Sequence, residues 1–143
     1  MPSLRRPSSS LARAALLIVA AAIAWPCVTA QAQTWEYKSY KKSRGGQFDK
    51  SQFNVGEITL EEKDGKAYFH MVAGGVDACL RGDVPALVTK TAETTTIELQ
   101  QSLAGCEAIR YVIRNDGSGG DREVRRNDAW VKDGWDHGLT PKK

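Results

Sequence analysis

Histidine and cysteine are scarce in this chain, with two and three residues respectively among 143. His70 and His137 form no recognised ligand spacing with neighbouring acidic residues or thiols, so no metal centre is read. No Cys–His pattern is legible that would activate a thiol nucleophile. The glycine-rich run at Gly117, Gly119 and Gly120 lacks a following Lys-Ser/Thr and a helix start, which excludes a phosphate loop. The same segment, Asn115 to Glu123, fails as a calcium loop. The sixth place counted from Asp116 is Asp121, where an EF-hand has glycine. No cofactor is implied. A sustained helical period is also missing, which removes bundles and doubly wound sheets from consideration.

Long apolar runs are equally rare. The one that exists, Ala14 to Ala24, follows Arg5, Arg6 and Arg13 in a stretch with no acid and precedes Ala30-Gln31-Ala32. Basic end, apolar middle and small-residue site have the layout of a secretory signal peptide, residues 1–32, cleaved after Ala32. The run is shorter than the roughly 20 residues of a transmembrane helix, and no integral membrane span is expected. Trp25 and Pro26 precede Cys27, where a lipoprotein would have small residues. The expected product is a periplasmic or secreted chain, 33–143, of a length that fits one domain. Removing the three leader arginines from 20 basic residues leaves 17 against 17 acidic ones. Without a positive surplus, generic nucleic-acid binding is not expected.

Cys79 and Cys106 remain as an even pair in an oxidising compartment, and a disulfide between them is the expected state. Between and around them the chain reads as short strands. Asp64-Gly65 between two extended segments is a hairpin signal. Ala67, Phe69 and Met71 share one face of the next segment, while Tyr68, His70 and Val72 share the other. Val76 to Leu80 reads as extended, and Leu87-Val88 and Thr94 to Leu99 follow. Ile109, Tyr111 and Ile113 point in between Arg110 and Arg114 pointing out. Arg122 to Arg126 and Ala129 to Lys132 continue the series around an Asn127-Asp128 turn. Turns recur every 8–12 residues, so the fold class is all-β: an antiparallel meander of about 7–8 strands closing as a barrel, with a small β-sandwich as alternative. Trp35 opens the first strand. Residues 38–50 are polar and read as a mobile loop, and 136–143 read as an irregular tail.

Few residues stand out for binding. Lys41, Lys42 and Arg44, with Lys38 and Lys50, form a basic set that suits an acidic protein, a polysaccharide or an anionic headgroup. Arg122, Arg125 and Arg126 form a second set. Trp130 reads as core filling, and Trp135, after Gly134, is placed near a barrel mouth, where an exposed indole meets sugar faces or side chains. His70 reads as an inward core or rim residue. His137, near Asp128, Asp133 and Asp136, is another candidate, with a solvated C-terminal turn as the plainer account. The run Trp130-Val131-Lys132-Asp133-Gly134 is loosely similar to the aromatic-Lys-Gly segment of one group of periplasmic lysozyme inhibitors, which are small disulfide-stapled barrels. It spans five residues, contains an extra Asp133 and lacks the Ser/Tyr inhibitory loop, so it assigns no family.

Secretion, a disulfide and a β-pattern without a convergent catalytic set point to a non-enzymatic exported module. It would engage an envelope protein or glycan through a loop end, in an inhibitor-like manner. A lipocalin- or avidin-like carrier of a small hydrophobic ligand is the alternative and requires a hollow interior. A minor hydrolase using His70 or His137 is the third reading. It requires an imidazole within hydrogen-bond reach of a carboxylate and a nucleophile.

Overall fold

The computed structural model describes residues 31–42 and 48–143, with backbone alone for 42 and 48–53. The expected leader up to residue 30 and Arg44 lie outside the described residues. Among the described residues nine strands make one sheet: β1 (Gln31–Lys42), β2 (Phe48–Lys63), β3 (Lys66–Ala73), β4 (Val84–Lys90), β5 (Thr94–Leu99), β6 (Ile109–Arg114), β7 (Gly120–Arg126), β8 (Ala129–Lys132) and β9 (Trp135–Pro141). All pairings are antiparallel. Neighbours in sequence pair from β1 to β7, β9 returns to β1, and β7 meets β9 at Gly120 opposite His137. Eight strands therefore close a barrel, and β8 is an extra strand on the outside of the β7 hairpin.

Local chemistry explains the hairpins. Asp64 and Gly65 both take positive φ, 52° and 72°, between the paired residues Lys63 and Lys66, which matches the twist of the flanking strands. Asn127 and Asp128 do the same between Arg126 and Ala129. Gly120 is required by proximity. A Cβ there would lie 2.7 Å from the Val112 carbonyl oxygen and 2.8 Å from Leu139 Cδ1, so only glycine lets β6, β7 and β9 converge.

Alternation sorts the faces. Trp35, Ile58, Leu60, Phe69, Ile97, Tyr111, Ile113 and Leu139 are fully buried and fill the interior. Phe69 and Tyr111 stack with ring centres 5.2 Å apart. Outward positions carry Glu36, Lys38, Glu57, Glu98, Arg110 and Arg114, none of them buried. An apolar inside and a charged outside reverse the pattern of a lipid-facing barrel. Among the described residues no helix is long and apolar enough to cross a membrane. Cys79 and Cys106 are disulfide-bonded, with Cα atoms 5.7 Å apart, joining the loop before β4 to the loop before β6.

The structure departs from the sequence reading in three segments. Within 38–50, residues 38–42 belong to β1 and 48–50 to β2, because the β1–β2 ladder continues across a register shift between Tyr40 and Lys42. The stretch 136–143 is not irregular. Most of it is β9, held by a ladder to β1 from Trp35–Pro141 to Lys41–Trp135. Val76 to Leu80 is not a strand. Ala78–Leu80 form a short 3-10 turn capped by Asp77, whose carboxylate accepts the Cys79 N–H at 2.9 Å.

Candidate functional site

β7 and β9 share a single paired position, and at that seam the barrel end holds a cavity of about 140 Å³. Its lining comes from β1 (Tyr37, Ser39), β3 (Met71), β6 (Tyr111), β7 (Arg122), β9 (Trp135, His137) and the loop carrying Gly75 and Asp77. Each strand residue sits at an inward position of its alternation, and the closure at Gly120–His137 brings β9 against the others.

The polar side chains form a chain. His137 Nε2 lies 3.1 and 3.2 Å from the two Asp133 carboxylate oxygens, and Arg122 donates to Asp133 Oδ2 at 3.3 Å. Nδ1 of His137 is 3.4 Å from Tyr37 Oη, and Tyr37 is bonded in turn to Ser39. The Asp133 contact favours the tautomer with the proton on Nε2, which leaves Nδ1 to accept from the Tyr37 hydroxyl. Burial by itself would raise the Asp133 carboxyl. The hydrogen bond and charge at His137, the Trp135 N–H and Arg122 outweigh it and hold the carboxyl below its ordinary value. Burial raises the Tyr37 phenol, partly offset by Ser39, and raises the Tyr111 phenol far more. Both tyrosines are therefore neutral donors across physiological pH.

Two donors facing this region are not used. Tyr111 Oη and Arg122 Nε are buried and have no hydrogen-bond partner among the described residues. An unpaired buried polar group costs about 1–3 kcal/mol, so the arrangement asks for an acceptor oxygen.

The sequence candidates distribute as follows. His137 is 6% exposed and central to the cavity, not part of a solvated turn, because β9 turns it inward. Trp135 is half-buried and lines the same cavity. His70 points outward, opposite to the inward expectation, and pairs with Asp83 at 3.1 Å with both side chains exposed. Lys41 is exposed at the far end of β1, across the ladder from Trp135. Lys42 is paired with Phe48 through the backbone, and its side chain is outside the described residues. Arg122, Arg125 and Arg126 do not make one patch. Arg122 turns in to Asp133, Arg125 meets Asp128, and Arg126 meets Glu107. Trp130 is not core. It lies half-buried on the outer side, under the Arg110 guanidinium at 4.6 Å, because β8 is outside the barrel.

Tyr37 and Tyr111 were not singled out as site residues by sequence reasoning, Arg122 was read as one of a surface basic set, and Asp133 only as one of three carboxylates near His137. Their one available signal was the spacing of Asp133 and His137 together with the inward phase of Tyr111. Comparison with protein-family models, curated proteins and solved structures finds no match.

Proposed function

We propose that this chain is an exported, non-enzymatic binding module that takes a compact polar group into the cavity at its barrel end. The observation that carries the reading is the pair of partnerless buried donors, Tyr111 Oη and Arg122 Nε, at one small cavity. Export is supported by the leader-like layout of residues 1–32 and by the Cys79–Cys106 disulfide. A carrier of hydrophobic molecules is less well supported, since large side chains fill the interior and the small end cavity sets Tyr37, Arg122 and His137 beside Met71, Leu80 and Trp135. The test is an amide NMR titration of the purified protein with a panel of compact polar molecules and with a fatty acid. Shifts confined to the surroundings of Tyr111, Arg122 and His137 with polar probes are expected. Shifts with the fatty acid alone would transfer the assignment to the carrier.

One observation favours a hydrolytic reading: the imidazole of His137 lies between a carboxylate and a hydroxyl, as a nucleophile-activating base would. Against it, burial makes Tyr37 a poor source of phenolate. Turnover of an activated ester that disappears in His137→Gln would establish the enzyme and displace the binding-only account.

A further inference from the structure

The electrostatics of the cavity narrow the ligand. Arg122 is matched by Asp133, whereas Asp77, an exposed residue at the rim of the same cavity, makes no ion pair among the described residues. One Asp77 oxygen is occupied by the Cys79 N–H, and the carboxylate acts on the Tyr111 phenol through space, as do Arg122 and Asp133. The site thus offers two unpaired buried donors and, at its exposed rim, a carboxylate that has no cationic partner among the described residues. A bare anion would satisfy the donors but add a third negative charge near Asp77 and Asp133 with no cation of its own. A bare cation would satisfy Asp77 and leave Tyr111 Oη and Arg122 Nε unpaired. A neutral polyol would gain no ion pair with Asp77, whose carboxylate would stay in water.

Resting on the reading of this cavity as a ligand site, we propose that its ligand is a small zwitterionic amino acid. The carboxylate is taken by Tyr111 Oη and Arg122 Nε, and the ammonium faces Asp77. The volume, about 140 Å³, suits a molecule of a few heavy atoms, since a cavity of about 150 Å³ admits benzene. The wall bearing Asp77 is held in advance. Asn54 donates to the Gly75 carbonyl at 3.0 Å and accepts its N–H at 3.3 Å, and the disulfide fixes Cys79 two residues beyond Asp77. A site that is already ordered loses little entropy when the ligand enters.

The experiment is isothermal titration calorimetry of the purified, disulfide-intact protein at neutral pH. The probes are glycine, L-alanine and L-serine, against sodium acetate, methylamine and glycerol. Saturable binding of at least one amino acid is expected, with acetate, methylamine and glycerol weaker by about tenfold or more, or about 1.4 kcal/mol. Asp77→Asn and Tyr111→Phe each lower the amino-acid affinity by about tenfold while both variants keep a single cooperative thermal transition. Acetate, methylamine or glycerol binding as tightly as the amino acids, and lost in Tyr111→Phe, overturns the zwitterion and keeps the cavity as a ligand site. No binding of any probe up to ~10 mM, or binding indifferent to Tyr111→Phe, overturns both.

Discussion

Tyr111→Phe isolates the central feature of the site, because it removes one hydroxyl and nothing else. The ring is fully buried, stacks on Phe69 and meets the His137 ring edge-on at 6.4 Å, and phenylalanine retains all of that. A Tyr→Phe change at a satisfied hydroxyl loses a hydrogen bond worth about 0.5–1.5 kcal/mol. Here the hydroxyl has no partner among the described residues, and its burial costs about 1–3 kcal/mol on the same scale. Cavity water recovers part of that cost, so the variant is expected to be between unchanged and about 1 kcal/mol more stable than the parent. Tyr37→Phe is the control. It loses the bonds to Ser39 and His137 and is expected to lose about 1–2 kcal/mol. Urea denaturation at neutral pH with the disulfide intact measures both, and equal m-values confirm that midpoints report stability. A Tyr111→Phe protein destabilised by more than about 1 kcal/mol would show that the hydroxyl is satisfied, and the argument for an acceptor-bearing ligand would fall with it.

Other perturbations probe the surroundings. Asp133→Ala leaves Arg122 and His137 without their carboxylate and is expected to lose about 3 kcal/mol at neutral pH. Because the folded state holds this carboxyl below its ordinary value, its contribution is present above about pH 4 and is lost as pH falls through the folded value. The gap between parent and variant, followed by denaturation from neutral to acidic pH, should therefore narrow; a constant gap would refute the assignment. The raised phenols of Tyr37 and Tyr111 act at the other end of the scale. Their contribution is intact below about pH 10 and is lost as pH rises through the folded values, so their tyrosinate absorbance should appear together with alkaline unfolding. Titration of all four tyrosines in a protein whose circular dichroism is unchanged would contradict it. Cys79→Ser opens a loop spanning 27 positions and should lower stability by about 3.5 kcal/mol in the chain-entropy model, read as a shift in the urea midpoint.

The strands visible in the sequence are those whose side chains carry their own signal. Ile109, Tyr111 and Ile113 lie between Arg110 and Arg114, Thr94 to Ile97 are all β-branched, and Asp64-Gly65 has the dipeptide that a two-residue hairpin needs. The same alternation put Phe69 and Met71 on one face but left open which face is inward, and both prove buried. What was illegible is held by partners distant in sequence. In β9 the run Trp135-Asp136-His137-Gly138-Leu139-Thr140-Pro141 contains residues that strands disfavour, and it is extended because β1 supplies a ladder about 100 residues away. Residues 38–42 have mostly polar side chains because alternate positions face solvent, yet Ser39 points in. Arg122 read as one of three surface cations, and only the geometry of the β8–β9 turn, which presents Asp133, shows why it folds inward.

Cavity and seam have one physical origin. A closed barrel needs a continuous ladder, and between β7 and β9 that ladder is reduced to Gly120 and His137. β7 then diverts its remaining edge to β8, from Arg126–Ala129 to Glu123–Lys132. The gap left at this end is bridged by side chains, Arg122 through Asp133 to His137. Side-chain bridges are longer than backbone hydrogen bonds between strands and leave space behind them, which accounts for a polar cavity in an otherwise apolar interior. If stability alone had shaped this end, an apolar plug would serve as well as a buried ionic chain, since replacing such pairs by well-packed apolar residues is often neutral or stabilising. A partnerless hydroxyl and a half-used guanidinium beside that chain are a cost in the isolated fold. A ligand supplying the missing acceptor would remove that cost.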